Sequence, residues 1–157
     1  MGVIVNTSNR SHKSYRTDKA QSTKHKAQST KHKALRTIEI MSDQITVYEK
    51  PTCTKCREMD KFLRERGVDF SKVNYYIEPL TKKKLTELIS KMKISPRDLL
   101  RKSEPIYREL GIATKEYTDE QLIAVMVEHP DLMQRPIVER GDRAVLGRPT
   151  ENVEELL

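Results

Sequence analysis

The alternating run Gln44-Ile45-Thr46-Val47-Tyr48 is rich in β-branched and aromatic residues and predicts a half-buried strand. A turn-like Lys50-Pro51-Thr52-Cys53 follows, and the period then changes: Met59, Phe62 and Leu63 fall on one face of a helix that Gly67 ends. Residues 68–76 read as a second strand, so the natural packing of these elements is a right-handed parallel β-α-β unit. Thr81 starts a helix that runs to Met92, with Leu85, Leu88 and Ile89 at helical spacing. Ser95-Pro96 has the order of a cap followed by proline, which predicts a short helix carrying Asp98 to Arg101. Thr118 caps DEQLIAVMVE, with Glu120 or Gln121 near the capping-box position, and Pro130 ends that helix. Pro136 to Glu139 and Ala144 to Leu146 flank the turn Arg140-Gly141-Asp142-Arg143, as an antiparallel hairpin requires, and Thr150 to Leu157 reads as a closing helix. The order β-α-β, several helices, β-β-α predicts an α/β fold, a thioredoxin-like mixed sheet with an inserted helical segment.

A chain of 157 residues is the size of one domain. Its residues are 36% hydrophobic and 34% charged, with no apolar run near the roughly 18 to 20 residues of a membrane helix. With no apolar N-terminal segment of the secretory kind, a soluble, cytoplasmic protein is expected. Two cysteines in this length do not make a disulfide scaffold, so core burial must stabilise the fold. The net charge of +7 suggests a nucleic-acid partner until it is located along the chain. Residues 1–40 hold nine Lys or Arg against Asp18 and Glu39, which is the whole excess, while 41–157 carry 21 charges of each sign. No nucleic-acid partner is expected for residues 41–157.

Residues 19–34 read KAQSTKHKAQSTKHKA, a perfect seven-residue repeat without an apolar face, and disorder is expected there. One seven-base DNA unit, AAGCACA, repeated in tandem and read in triplets, translates as KHKAQST, because seven is not a multiple of three and translation passes through every frame. That unit accounts for every residue from Lys19 to Ala34, and Met41 stands directly before the first strand. The expected organisation is therefore a disordered basic tail over 1–40, read as an upstream repeat outside the functional coding sequence, and a folded domain over 41–157. A basic nucleic-acid-binding arm and an acid-poor organelle transit peptide are the functional alternatives for the tail.

The candidate chemistry lies at Cys53-Thr54-Lys55-Cys56, between a strand and the helix it opens. The positive end of that helix and the free N–H groups of Thr54, Lys55 and Cys56 stabilise a thiolate and can hold an oxyanion. The first cysteine gains most. Lys55 and Arg57 add positive potential, and Glu49 and Glu58 oppose it. The spacing also allows a Cys53–Cys56 disulfide. Two structural thiols, or half of a zinc site, are the plainer readings. Zinc is poorly supported, because residues 41–157 contain no second C-x-x-C and His129 is their only histidine.

YEKPTCTKCR, SPRDLLRKSEPIYRELG, EHPDLMQRPIV and LGRPTE, in that order, resemble the glutaredoxin-dependent arsenate reductase family, from about Ile45 to the C-terminus. The resemblance implies a nucleophilic Cys53, an oxyanion site built on Arg101, Arg135 and Arg148, and a cis peptide at Arg135–Pro136. It implies no bound cofactor, and a thiol reductant. Thr54, Lys55 and Arg57 are candidates for substrate contact. Taken singly, the arginines are indistinguishable from solvated ones, but a guanidinium fork suits a tetrahedral oxyanion. His129 reads as a helix C-terminal cap, and Tyr75, Tyr76 and Tyr107 as packing.

Two positions depart from the family pattern. Glu49-Lys50 stands where family members carry His-Asn, and Cys56 stands where single-cysteine members have a hydroxyl residue. An internal resolving thiol would allow discharge through thioredoxin as well as through glutathione and glutaredoxin. Two other readings remain open at this level. One is a redox-sensing regulator of the Spx type that binds RNA polymerase. The other is a general thiol oxidoreductase with a different substrate.

Overall fold

The computed structural model describes Gly2 and residues 43–157. Gly2 apart, the basic tail expected over 1–40 lies outside the described residues. All elements below belong to the unit Ile40–Leu157.

The β-α-β unit consists of β1 (Ile45–Glu49), α1 (Thr54–Glu65) and β2 (Phe70–Asn74). After it come α2 (Lys82–Met92), α3 (Pro105–Glu109), α4 (Asp119–Glu128) and a 3-10 turn at Pro130–Leu132. The chain closes with β3 (Ile137–Arg140), β4 (Arg143–Leu146) and a 3-10 helix over Thr150–Leu156. The sheet order is β2-β1-β3-β4, with β1 and β2 parallel and the other pairs antiparallel. This is the expected mixed sheet with its helical insertion.

Successive strand residues point to opposite faces, and both faces are covered. Ile45, Val47 and Val138 meet Met59 and Leu63 of α1 and Val153 and Leu156 of the closing 3-10 helix. Tyr48 and Ile137 face the insertion, where Leu85, Leu88, Leu122 and Met126 are buried. The helix boundaries follow their caps. Thr81 Oγ1 accepts from the Lys84 N–H, and Thr118 and Gln121 form a reciprocal capping box. His129 occupies the C-cap of α4, its backbone N–H reaching the Val125 carbonyl at 2.8 Å.

Three segments differ from the sequence expectation. β2 stops at Asn74 because the Asn74 side chain accepts the Tyr76 N–H at 3.1 Å and its carbonyl accepts that of Ile77, which turns Tyr75 and Tyr76 out of the ladder. No helix carries Asp98 to Arg101. Ser95 and Asp98 exchange hydrogen bonds in a tight turn, and Leu100 then pairs with Met133 in an isolated antiparallel bridge. The short helix begins later, at Pro105, with proline in its first turn.

Two features matter beyond the topology. A Cβ on Gly147 would lie 2.4 Å from Met59 Cε and 2.9 Å from Pro136 Cγ, so a side chain there would force both to shift where the chain after β4 closes on α1. Glu139 is buried under α2, where its carboxylate accepts from the Tyr48 hydroxyl (2.6 Å), Lys84 Nζ (2.8 Å) and Lys91 Nζ (2.6 Å). No helix among the described residues is long and apolar enough to cross a membrane.

Candidate active site

Cys53 is the N-cap of α1, half-buried, with its own N–H bound to the Lys50 carbonyl at 2.9 Å. Burial works to raise its thiol pKa. Against that act the N–H and side chain of Cys56, the Arg135 guanidinium and the N–H of Lys55, which together hold it below the usual thiol value. Cys56, one turn into the helix, is fully buried. Burial pushes its thiol up to about 12, partly offset by the Lys50 backbone and reinforced by the sulfur of Cys53 and the charge of Glu49. The two thiols, three residues apart, are thus electronically opposite: one is held below the usual thiol value and the other is pushed well above it. Alkylation by iodoacetamide followed against pH should therefore give Cys53 a midpoint below about 8.5, while Cys56 remains unlabelled until the protein unfolds. The two thiols can be scored separately by mass spectrometry, because trypsin cleaves between them at Lys55. A lower midpoint at Cys56 would reverse their roles.

The first-turn side chains are turned to their own helix. Lys55 pairs with Glu58 at 2.6 Å, and Arg57 reaches Thr54 Oγ1 at 3.5 Å, all on the exposed side. The helix acts on the thiolate through the backbone N–H groups of Lys55 and Cys56. Glu49, which carries the charge opposed to thiolate formation, sits on the α1 face of β1. There Lys72 lies 3.5 Å from its carboxylate, and its influence falls on Cys56.

The arginines arrive on separate segments that backbone bonds tie together. The Arg101 N–H donates to Leu132 and the Gln134 N–H to Leu99, both at 2.8 Å, which fixes the insertion to the loop before the cis Arg135–Pro136 peptide. Gly147 donates to the Pro136 carbonyl at 2.9 Å, and Arg148 Nη1 reaches Gln134 Oε1 at 3.5 Å. Arg148 also begins a cis peptide, to Pro149, and shares with Lys55 and Glu58 a cleft of about 410 Å³. Arg135 is buried and meets both Cys53 and the buried Tyr75. Arg101 is half-buried and Arg148 exposed.

Among the described residues, the buried side-chain polar atoms without a hydrogen-bond partner are Tyr75 Oη, Arg101 Nη1 and Arg135 Nε and Nη1. Buried donors are ordinarily satisfied, so this cluster calls for an acceptor. Carboxylates lie near both guanidinium groups: Glu104 is 2.5 Å from Arg101 Nη1, and Asp131 is 3.5 Å from Arg135 Nη1. Distance makes these ion pairs, but neither meets hydrogen-bond geometry. Arg135 Nε and Tyr75 Oη have neither a hydrogen-bond nor an ion-pair partner, and these are the donors open to a further anion. Tyr75 belongs to this group, although the sequence offered it only as packing. The signal that would have found it is Asn74, whose side chain breaks the strand and sends Tyr75 inward.

Comparison with known proteins places these features in a family. The ArsC family model matches residues 48–156. The chain is 41% identical over 113 residues to an arsenate reductase of Escherichia coli K12, covering 72% of this chain and 80% of that one. It is 38% identical over 118 residues to an uncharacterised protein, YfgD, of the same organism, covering 74% and 99%. Among solved structures, an arsenate reductase from Vibrio cholerae superposes with a TM-score of 0.70 at 32% identity, covering 74% of this chain and 99% of that one. The extent of these matches, over the same segment that carries the cysteine pair and the three arginines, shows that the chain belongs to the ArsC family.

Proposed function

We propose that this protein reduces arsenate to arsenite with electrons from thiols, using Cys53 as nucleophile and Arg101, Arg135 and Arg148 as the oxyanion site. The observation that carries this reading is the pair of buried donors without a partner, Arg135 Nε and Tyr75 Oη, together with a cysteine whose thiol the same guanidinium helps to hold low. A dianionic tetrahedral substrate supplies the acceptors those groups lack, and two or three guanidinium groups offset its charge where a neutral disulfide substrate needs none.

The chemistry follows from the two thiols. The Cys53 thiolate attacks arsenic, one arsenate oxygen takes up protons and leaves as water, and an As–S bond forms. A second thiol then attacks Cys53 Sγ. The electron pair of the As–S bond stays on arsenic, which is released as arsenite, and the two sulfurs are left oxidised as a disulfide. Cys56, one turn away, serves as that second thiol, and its high pKa keeps it from competing as the nucleophile. Glutathione with glutaredoxin, or thioredoxin, then returns the disulfide to thiols. No bound cofactor enters this cycle, and a cytoplasmic reducing compartment suits it.

Arsenate-dependent oxidation of NADPH, coupled separately to glutathione with glutaredoxin and to thioredoxin, tests the reading. Turnover should appear with at least one system. It should fall on the order of a hundredfold in Arg135→Ala, while reduction of a small artificial disulfide falls much less, by only what the weaker ionisation of Cys53 accounts for. Arg135→Lys should rescue it only in part, because an ammonium lacks the planar fork. Disulfide reduction without any arsenate turnover would favour a general thiol oxidoreductase instead.

A further inference from the structure

One oxygen of Asp131 gathers side chains from different loops around the site. Asp131 Oδ1 accepts from Lys50 Nζ at 2.9 Å and from the Tyr76 hydroxyl, and it lies 3.5 Å from Arg135 Nη1. Lys50 belongs to the loop between β1 and α1, where its carbonyl accepts the Cys53 N–H. Its ammonium also sits 4.4 Å from the centroid of the Tyr76 ring. Tyr76 stands in the turn after β2 and stacks on Tyr75, with 5.2 Å between ring centroids. Asp131 itself is in the 3-10 turn Pro130–Leu132, just ahead of the Arg135–Pro136 cis peptide.

An isolated ion pair with a side chain as exposed as that of Asp131, at 44%, is ordinarily worth little. Convergence makes this one different. Two hydrogen bonds fix the carboxylate, a cation–π contact holds one donor against the other, and the second cation is the guanidinium that acts on Cys53. Burial would raise the Asp131 carboxyl, but Tyr76, Lys50 and Arg135 together hold it below the usual carboxylate range, so it is charged at neutral pH. Lys50 is also one of the two residues that depart from the His-Asn pattern, and this contact gives it a role.

We propose that Asp131 is a positioning residue: anchored by Lys50 and Tyr76, it keeps the Arg135 guanidinium turned toward Cys53. Its effect on arsenate affinity rests on the function proposed above, but its effect on Cys53 does not, and the test uses the latter. The pH midpoint of Cys53 alkylation is measured in the wild-type chain, in Asp131→Ala, in Asp131→Asn and in the same Asp131→Ala change made on Arg135→Ala. Asp131→Ala should raise the midpoint by roughly half to one pH unit, because the guanidinium is released toward water. Asp131→Asn, which keeps an acceptor oxygen for Lys50 and Tyr76, should raise it less. On the Arg135→Ala background the change should have no further effect, since the interaction it acts through is gone.

A carboxylate acting only as a charge disfavours the thiolate, so its removal would lower the midpoint in both variants. That result would overturn the proposal. So would an unchanged midpoint in Asp131→Ala, or the same shift with and without Arg135. A chain that shows the predicted midpoints but never turns over arsenate would keep the positioning role and lose the arsenate reading.

Discussion

Replacing Cys53 with alanine is expected to abolish arsenate turnover, a loss of roughly ten-thousandfold or more, as removal of a covalent nucleophile does in other enzymes. The fold should be little affected, because Cys53 is only half-buried. Cys56→Ser is expected to behave differently. Turnover with thioredoxin should fall at least tenfold, and the fall with glutathione and glutaredoxin should be smaller, because an external thiol can attack Cys53 in place of the internal one. Equal loss with both reductants would mean that Cys56 acts through packing, which its full burial beside Met59 and Leu63 in α1 makes the natural rival explanation. The measurement is steady-state turnover in the two coupled assays, with thermal melts of both variants to exclude misfolding.

Glu139→Ala is expected to cost about 3 kcal/mol of stability, the low end of what breaking a buried charge cluster costs, and to lower the melting temperature by roughly 10 °C. The carboxylate is buried between β3 and α2, and its loss strands Lys84, Lys91 and the Tyr48 hydroxyl together. The low end applies because the two ammonium groups reach water, whereas Tyr48 does not. Burial works to raise the Glu139 carboxyl, but Lys84, Lys91 and Tyr48 hold it below the usual carboxylate range in the folded protein. A folded value below the unfolded one means that this contribution is complete above the unfolded carboxylate pKa of about 4.3. It is lost as pH falls through the lowered folded value. Chemical denaturation of the variant and the wild type at pH 7 and in acid checks both parts, and a difference that stayed constant into acid would rule out the ionised carboxylate as its source.

Local physics made some of this legible and left the rest to distant pairings. The cysteine pair could be placed from sequence because everything that matters to it, a strand, a short turn and a helix start, lies within a dozen residues. The hairpin, the caps at Thr81 and Thr118 and the alternation in β1 were legible for the same reason. The arginines were visible only through family motifs. The segments that carry them are joined by a bridge between Leu100 and Met133 and a contact between Gly147 and Pro136, neither of which leaves a periodic trace. The short helix expected after Ser95 failed at that bridge, since Leu100 and Arg101 cannot both propagate a helix and pair with the loop before Pro136. Glu49 shows a finer limit. Its charge sits next to the active segment in sequence, yet strand alternation sends the side chain to the α1 face, where Lys72 meets it.

The Leu100–Met133 bridge also bears on how such a protein tolerates change over evolutionary time. Leu99–Arg101 is held to Leu132–Gln134 by backbone bonds, so the spacing of two guanidinium groups depends on that register and not on the length of chain between them. Lengthening a connection costs little once its ends are fixed, since closure entropy grows only logarithmically. Insertions and deletions between Arg101 and α4 can therefore accumulate without disturbing the bridge, whereas a one-residue slip at the bridge itself would displace Arg101 at once.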